Sequence, residues 1–224
     1  RPGELRVAFL SRVDEKKNLH GAIQMLDGVR GDIRFDIYGP VTDAAYWARC
    51  QALLARLPAN VRTRYHGPLS HDQVPGALAA ADVFLFPTLG ENFGHVIIEA
   101  LVQGCPVLTS DQTPWRALAA RRAGWDLPLA RPSAFRDALQ RLADMDDGEY
   151  RPWSAGALAM GTAHAADSQA ELSNRELFRR AADGGASART RTATAPVPRS
   201  APVSHRPAPA SHRPAPGQTA GTIL

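Results

Sequence analysis

Cysteine is nearly missing from this chain: Cys50 and Cys105 are the only two in 224 residues. They form no Cys-x-x-Cys pair and no metal-ligand cluster, which excludes a disulfide framework and a zinc site of the usual spacing. One falls in a predicted helix and the other just ahead of a predicted strand, so buried, reduced thiols in a cytoplasmic setting are expected. Peripheral attachment to the cytoplasmic face of a membrane is left open. No stretch approaches the roughly 18–20 uninterrupted apolar residues of a membrane-spanning helix. Also missing is a G-x-G-x-x-G turn after the first predicted strand, where Ser11-Arg12-Val13-Asp14 stands instead. That speaks against the dinucleotide cradle of a nicotinamide-dependent dehydrogenase. A basic face is lacking too. The formal charge is +4, but residues 183–224 carry Arg189, Arg191, Arg199, Arg206 and Arg213 against Asp183, so the excess lies there. Residues 1–182 are formally neutral, and no nucleic-acid partner is expected.

The chain is long enough for one large domain, or for one domain with a tail. It opens Arg1-Pro2-Gly3-Glu4-Leu5, without a methionine or a signal-peptide layout, and reaches a strand almost at once. The expectation is a piece of a longer protein. From Asp183 the composition turns to Ala, Pro, Arg, Ser and Thr with almost nothing to bury, and Ser-His-Arg-Pro-Ala-Pro occurs twice near the end. Such a segment is expected to be a disordered tail, partly polyproline II.

What is present centres on Asp82 to Ala100. Val83, Phe84, Leu85 and Phe86 form an apolar run closed by Pro87, as a strand covered on both faces does. Thr88, Gly90, Asn92 and Gly94 then make a loop that continues neither periodic structure. From His95 the spacing turns helical, with Val96, Ile97, Ala100 and Leu101 on one face and Gly104 as the stop. A strand, a glycine-bearing turn and a helix start together offer free backbone N–H groups to an anion or a sugar hydroxyl. Glu91 precedes that helix and Glu99 lies about one turn inside it, with seven residues between them. On spacing alone, a cap-region acid plus a solvated helix acid is the commoner explanation of the pair.

Around this stretch, strands and helices alternate. A first strand over 5–10 leads into a polar loop and a helix that Asn18 can cap, with Ile23, Leu26 and Val29 inward. Arg12, Lys16 and Lys17 gather positive charge at the carboxyl end of that strand, the edge where open α/β sheets bind ligands. A second strand spans 34–38 and a helix 42–57, with Tyr46, Leu53, Leu54 and Leu57 inward. A third strand runs near 62–66 to the turn Gly67-Pro68-Leu69-Ser70. His66 is read as a satisfied strand-end histidine. Ser70 with Gln73 reads as a capping box opening a helix through Ala81. Pro114 is placed at the first turn of a further helix, and Gly124 to Leu129 reads as an edge strand because of Pro128. Trp115 and Trp125 are read as packing residues. Helices follow over 132–145 and 149–166, and a last one from Asp167 carries Leu172, Leu177 and Phe178. The alternation predicts a doubly wound, mostly parallel sheet of about six strands.

Glu91-Asn92-Phe93-Gly94-His95-Val96-Ile97-Ile98-Glu99, followed by Ala100 and Leu101, resembles the E-x7-E signature of the retaining group-1 glycosyltransferases. Members of that family have two Rossmann-like domains, the GT-B arrangement, and use nucleotide-sugar donors. Ala81 to Thr88 ahead of the motif and Gly104 to Ser110 after it resemble the family as well. The resemblance covers residues 5–180 and implies the C-terminal, donor-binding half of such an enzyme, with an acceptor-binding N-terminal half outside this chain. It implies that Arg12 and Lys17, five positions apart, grip the donor diphosphate; a guanidinium and an ammonium suit phosphate oxygens. Glu91 and the backbone of Asn92, Phe93, Gly94 and His95 would take the donor sugar. Glu99 would accept from the ribose hydroxyls, and the turn at Gly67 and Leu69 would lie against the base.

The function so implied is transfer of a sugar from a nucleoside-diphosphate sugar to a sugar or lipid-linked acceptor, with retention, in polysaccharide or glycoconjugate synthesis. Catalysis would rest on Arg12, Lys17 and Glu91 stabilising the leaving diphosphate and placing the sugar. No Asp-x-Asp metal motif stands at a suitable site, and neither metal nor cofactor is expected. The alternative is a donor-domain remnant that binds nucleotide or a partner protein and transfers nothing.

Overall fold

The structure, a computed structural model, describes residues 1–166. The predicted last helix from Asp167 and the tail over 183–224 lie outside the described residues. Six strands form one parallel sheet in the order β3-β2-β1-β4-β5-β6. They are β1 (Glu4–Leu10), β2 (Asp32–Tyr38), β3 (Val61–Gly67), β4 (Val83–Phe86), β5 (Val107–Ser110) and β6 (Gly124–Leu127). The connecting helices are α1 (Leu19–Leu26), α2 (Ala44–Leu54), α3 (Val74–Ala79), α4 (His95–Val102) and α5 (Pro132–Asp144), with a further helix over 147–166. This is the Rossmann-like, doubly wound architecture that the alternation of elements predicts.

Burial explains why each segment takes its form. All four residues of β4 are fully buried, because β1 and β5 flank it and helices cover both faces. A continuous apolar run is what such a central strand requires. At the edge, β3 buries only Val61, and Arg62 to His66 are exposed. His66 is held by Asp36 at 2.6 Å and stacks on Tyr38, so it is satisfied within the fold. The other edge is β6, with Pro128 just beyond its last residue, where no ladder donor is needed. Cys50 and Cys105 are free and buried.

Chain reversals are set by residues whose chemistry fits them. Asn18 adopts a left-handed conformation (φ 58°), and its side chain accepts from Gly21 N–H to cap α1. Helix α4 closes with Gly104 N–H on Leu101 O and Cys105 N–H on Ala100 O, with Gly104 left-handed. That is a Schellman ending. Asp146 and Glu149 exchange side-chain to backbone bonds at the start of the 147–166 helix, a reciprocal box that the sequence reading passed over.

Three expectations need correction. The helix predicted from Pro114 does not form, and residues 111–122 are turns and bends. Ala117 is left-handed (φ 57°), and the Asp126 carboxylate takes the N–H groups of Ala117 and Leu118 that a helix would have turned inward. The helix predicted from Ser70 begins only at Val74. Gln73 does reach back to Ser70 N–H at 3.0 Å, so half of the box exists without the helical turn it was expected to start. Finally, α2 is shorter at both ends than the predicted 42–57: Asp43 caps its start, and after Leu54 the chain tightens into turns through Arg56 N–H on Leu53 O and Leu57 N–H on Leu54 O. Among the described residues no helix is long and apolar enough to cross a membrane.

Candidate functional site

Where the strand order reverses, β1 and β4 are neighbours and their outgoing loops diverge to opposite faces of the sheet. The loop after β1 holds Ser11 to Asn18 and the loop after β4 holds Pro87 to Gly94. They are laced together by backbone and buried polar groups. Leu89 N–H donates to Lys16 O at 2.8 Å, the Thr88 hydroxyl donates to the same oxygen, and Asn18 Nδ2 donates to Pro87 O at 2.8 Å. From β5, Ser110 Oγ donates to Thr88 O and Thr109 Oγ1 to Phe86 O. Thr88, Thr109 and Ser110 are all fully buried, so these bonds are not shared with water.

On this frame the structure brings together Lys17 and Glu91, 74 residues apart in the chain. Lys17 Nζ lies 2.6 Å from Glu91 Oε2, with side-chain exposures of 12% and 20%. The ammonium also sits 5.5 Å from the centre of the Phe86 ring. Asp14 shapes the approach: its carboxylate accepts from Lys17 N–H and starts the single 3-10 turn Glu15–Lys17. The second Glu91 oxygen, Oε1, accepts from Asn92 N–H at 3.2 Å. Burial pushes the Glu91 carboxyl up, but the hydrogen bond and charge of Lys17, the Asn92 N–H and Lys16 outweigh it. The group is held below the usual carboxylate range.

Gly94 follows in a left-handed conformation (φ 69°), and no side chain caps the first N–H groups of α4. A Cβ at Gly94 would crowd Ile97, Trp115 and Glu91 together. Asn92, Phe93 and His95 are exposed, Phe93 at 71%, and its ring stacks on His95. Trp115 is buried, as a packing residue should be, yet its indole N–H also donates to Phe93 O at 2.9 Å and braces the loop. Trp125 packs face to face on Trp153.

The other predicted residues stand further out. Glu99, half-buried on α4, lies 3.9 Å from the exposed His71, which belongs to the loop after β3. The Gly67–Leu69 turn opens that same loop, with Gly67 left-handed and Leu69 packed on the core. Arg12 is largely exposed, and its nearest acid is Asp14 at 3.6 Å. The structure thus draws Lys17, Glu91 and the Asn92–His95 loop to one point. It places Glu99 and the β3 loop along one side, and leaves Arg12 reaching outward. Asp14, Thr88, Ser110 and Trp115 were not singled out for the site. For Thr88 and Ser110 a signal existed, a hydroxyl at the end of an apolar strand; for Trp115 none did. A cavity of about 720 Å³ lies between α5 and the 147–166 helix and is lined by none of the motif residues.

The fold and this site define an α/β protein of the class that binds ligands at the reversal point of a parallel sheet. Residues 1–151 match the family described as glycosyl transferases group 1, and the chain belongs to that family. A phosphatidyl-myo-inositol mannosyltransferase of Mycobacterium leprae is 30% identical over 160 residues, 69% of this chain and 41% of that protein. A D-inositol 3-phosphate glycosyltransferase of Streptomyces avermitilis is 34% identical over 95 residues, 42% of this chain and 20% of that one. Among solved structures, Anabaena Alr3699/HepE in complex with UDP and glucose superposes with a TM-score of 0.64 at 18% identity. The match covers 78% of this chain and 49% of that one. The chain therefore spans less than half the length of these relatives.

Proposed function

We propose that this chain is the donor-binding part of a retaining glycosyltransferase, which moves a sugar from a nucleoside-diphosphate sugar to a sugar or lipid-linked acceptor. The observation that carries the reading is the Lys17–Glu91 pair at the β1–β4 reversal, beside the uncapped start of α4. A diphosphate placed there meets the Lys17 ammonium, the reach of Arg12 and the positive end of a helix. Its developing charge is what such donors stabilise, and losing one of them typically costs ~2.7–4 kcal/mol of barrier. Glu91 and the N–H groups of Asn92 to His95 hold the sugar, Glu99 accepts from the ribose, and the Gly67–Leu69 turn lies against the base. UDP and glucose in the Anabaena neighbour support a nucleoside diphosphate and a hexose. The lipid named in the mannosyltransferase relative supports a lipid-linked acceptor in glycoconjugate synthesis. No step in this scheme calls for a metal. The acceptor side belongs to a facing domain outside the described residues.

A thermal-shift titration of the full chain with UDP, GDP, ADP, their sugar conjugates and NAD tests this. A ligand at 100 times its dissociation constant adds ~2.7 kcal/mol of stability. The expected result is a shift with one nucleoside diphosphate that Lys17→Ala removes. A shift with NAD alone overturns the reading. The second reading is a nucleotide- or partner-binding module without transfer. In that case the same shift occurs but no labelled sugar is released or moved.

A further inference from the structure

The Glu91 carboxylate already occupies the place where an anion would bind. One of its oxygens takes the Lys17 ammonium at 2.6 Å and the other takes the Asn92 N–H at 3.2 Å, in the turn that leads to the start of α4. The Lys17 side chain is 12% exposed, so water reaches little of it. Its other close neighbour is the face of Phe86, an aromatic ring that attracts a cation and offers no acceptor. The site is therefore self-neutralised, its cation and one of its N–H donors both claimed by a resident acid.

We propose that Glu91 is a built-in counter-ion that sets the selectivity of this site, favouring nucleotides that carry a sugar over the bare nucleoside diphosphate. The inference rests on the donor-site reading above and adds to it. A bare diphosphate must share Lys17 with Glu91, bringing two anions against one half-buried cation, and like-charge juxtaposition in a site shielded from water is costly. A sugar changes the balance. Its hydroxyls donate to the carboxylate oxygens, so Glu91 can turn from Lys17 to the sugar and leave the ammonium to the phosphates. Glu91 thus weakens the hold on the product, a free diphosphate, while strengthening the hold on the donor. The exposed neighbouring cations add charge toward the phosphates without freeing Lys17 from Glu91. Arg12 is turned toward Asp14, and the Lys16 side chain passes beside Gly90 while its carbonyl is fixed by Leu89 and Thr88.

Glu91→Gln keeps the shape and removes the charge. Calorimetric titrations of wild type and Glu91→Gln would use inorganic pyrophosphate, which is independent of the base, together with the UDP/UDP-glucose and GDP/GDP-mannose pairs. The expected result is pyrophosphate and the matching nucleoside diphosphate binding about tenfold or more tightly to the variant, with the sugar conjugate bound less tightly or equally. The ratio of the two dissociation constants then falls by at least that factor. Parallel losses for all ligands in Glu91→Gln, with an unchanged thermal midpoint, would show that Glu91 merely props the loop, and would overturn the counter-ion role while leaving the donor site standing. An absence of binding by every probe to both proteins would overturn the donor site as well. Lys17→Ala gives the second check: in that background Glu91→Gln must no longer strengthen pyrophosphate binding. A gain that persists without Lys17 contradicts the proposal.

Discussion

Asn18 does two things with one side chain. Its oxygen caps α1 through Gly21 N–H and its nitrogen holds Pro87 O, while its backbone is left-handed. Asn18→Ala loses both bonds and leaves the Cβ at positive φ without them; urea unfolding should show a loss of about 2–3 kcal/mol. Asn18→Gly, which relieves the backbone, should lose less. At Glu91 the sign of the pH effect follows from its lowered carboxyl. A group depressed in the folded state stabilises above its unfolded value, near about 4.3, and that contribution fades as pH falls toward the folded value. The stability advantage of wild type over Glu91→Gln should therefore be constant around neutral pH and shrink below about pH 4. A gap that persists unchanged in acid would place its source elsewhere. Glu99→Ala should weaken nucleotide binding in calorimetry, and unchanged affinity removes Glu99 from the ribose. Of these roles, Lys17, Glu91 and Glu99 could be marked from the motif. The meeting of Lys17 with Glu91 could not, because 74 residues separate them and only the sheet order closes that distance.

Among the elements, two glycines give opposite predictions. Gly39 ends β2 at φ 129°, where a Cβ would overlap the Ser11 carbonyl oxygen in the loop that carries Arg12. Gly39→Ala should cost about 3 kcal/mol or more, or prevent folding, because neither backbone can move aside. Gly76 lies in the exposed side of α3 with open space around its Cα. Gly76→Ala should stabilise by about 0.5–1 kcal/mol through helix propensity alone, read from the shift in urea midpoint. β4 and α4 were legible from local pattern, the strand because burial on both faces requires a continuous apolar run and the helix because its buried Ile97, Ala100 and Leu101 recur on one face. The segment after Pro114 was not. Its turn depends on Asp126, a strand residue that no local rule connects to Ala117.

At the scale of the whole fold, the buried side chains among the described residues form one cluster from Leu5 to Ala157, running from α2 across the sheet to the 147–166 helix. Such a core should unfold as a unit. Far-UV circular dichroism and tryptophan fluorescence, reporting from Trp47 near one edge and the Trp125–Trp153 stack near the other, should give coincident denaturation curves. Separate transitions would show that the β5–β6 side opens independently. The sequence by itself determined the alternating strands and helices and so a parallel sheet of about six strands, because periodicity and turn chemistry are local; family membership was implied by the resemblance of the E-x7-E stretch. Only the tertiary structure decided that Lys17 meets Glu91, that the indole of Trp115 braces the Asn92–His95 loop, and that Arg12 stands apart from both. Those contacts arise where the strand order reverses, and strand order is a property of packing across the whole sheet.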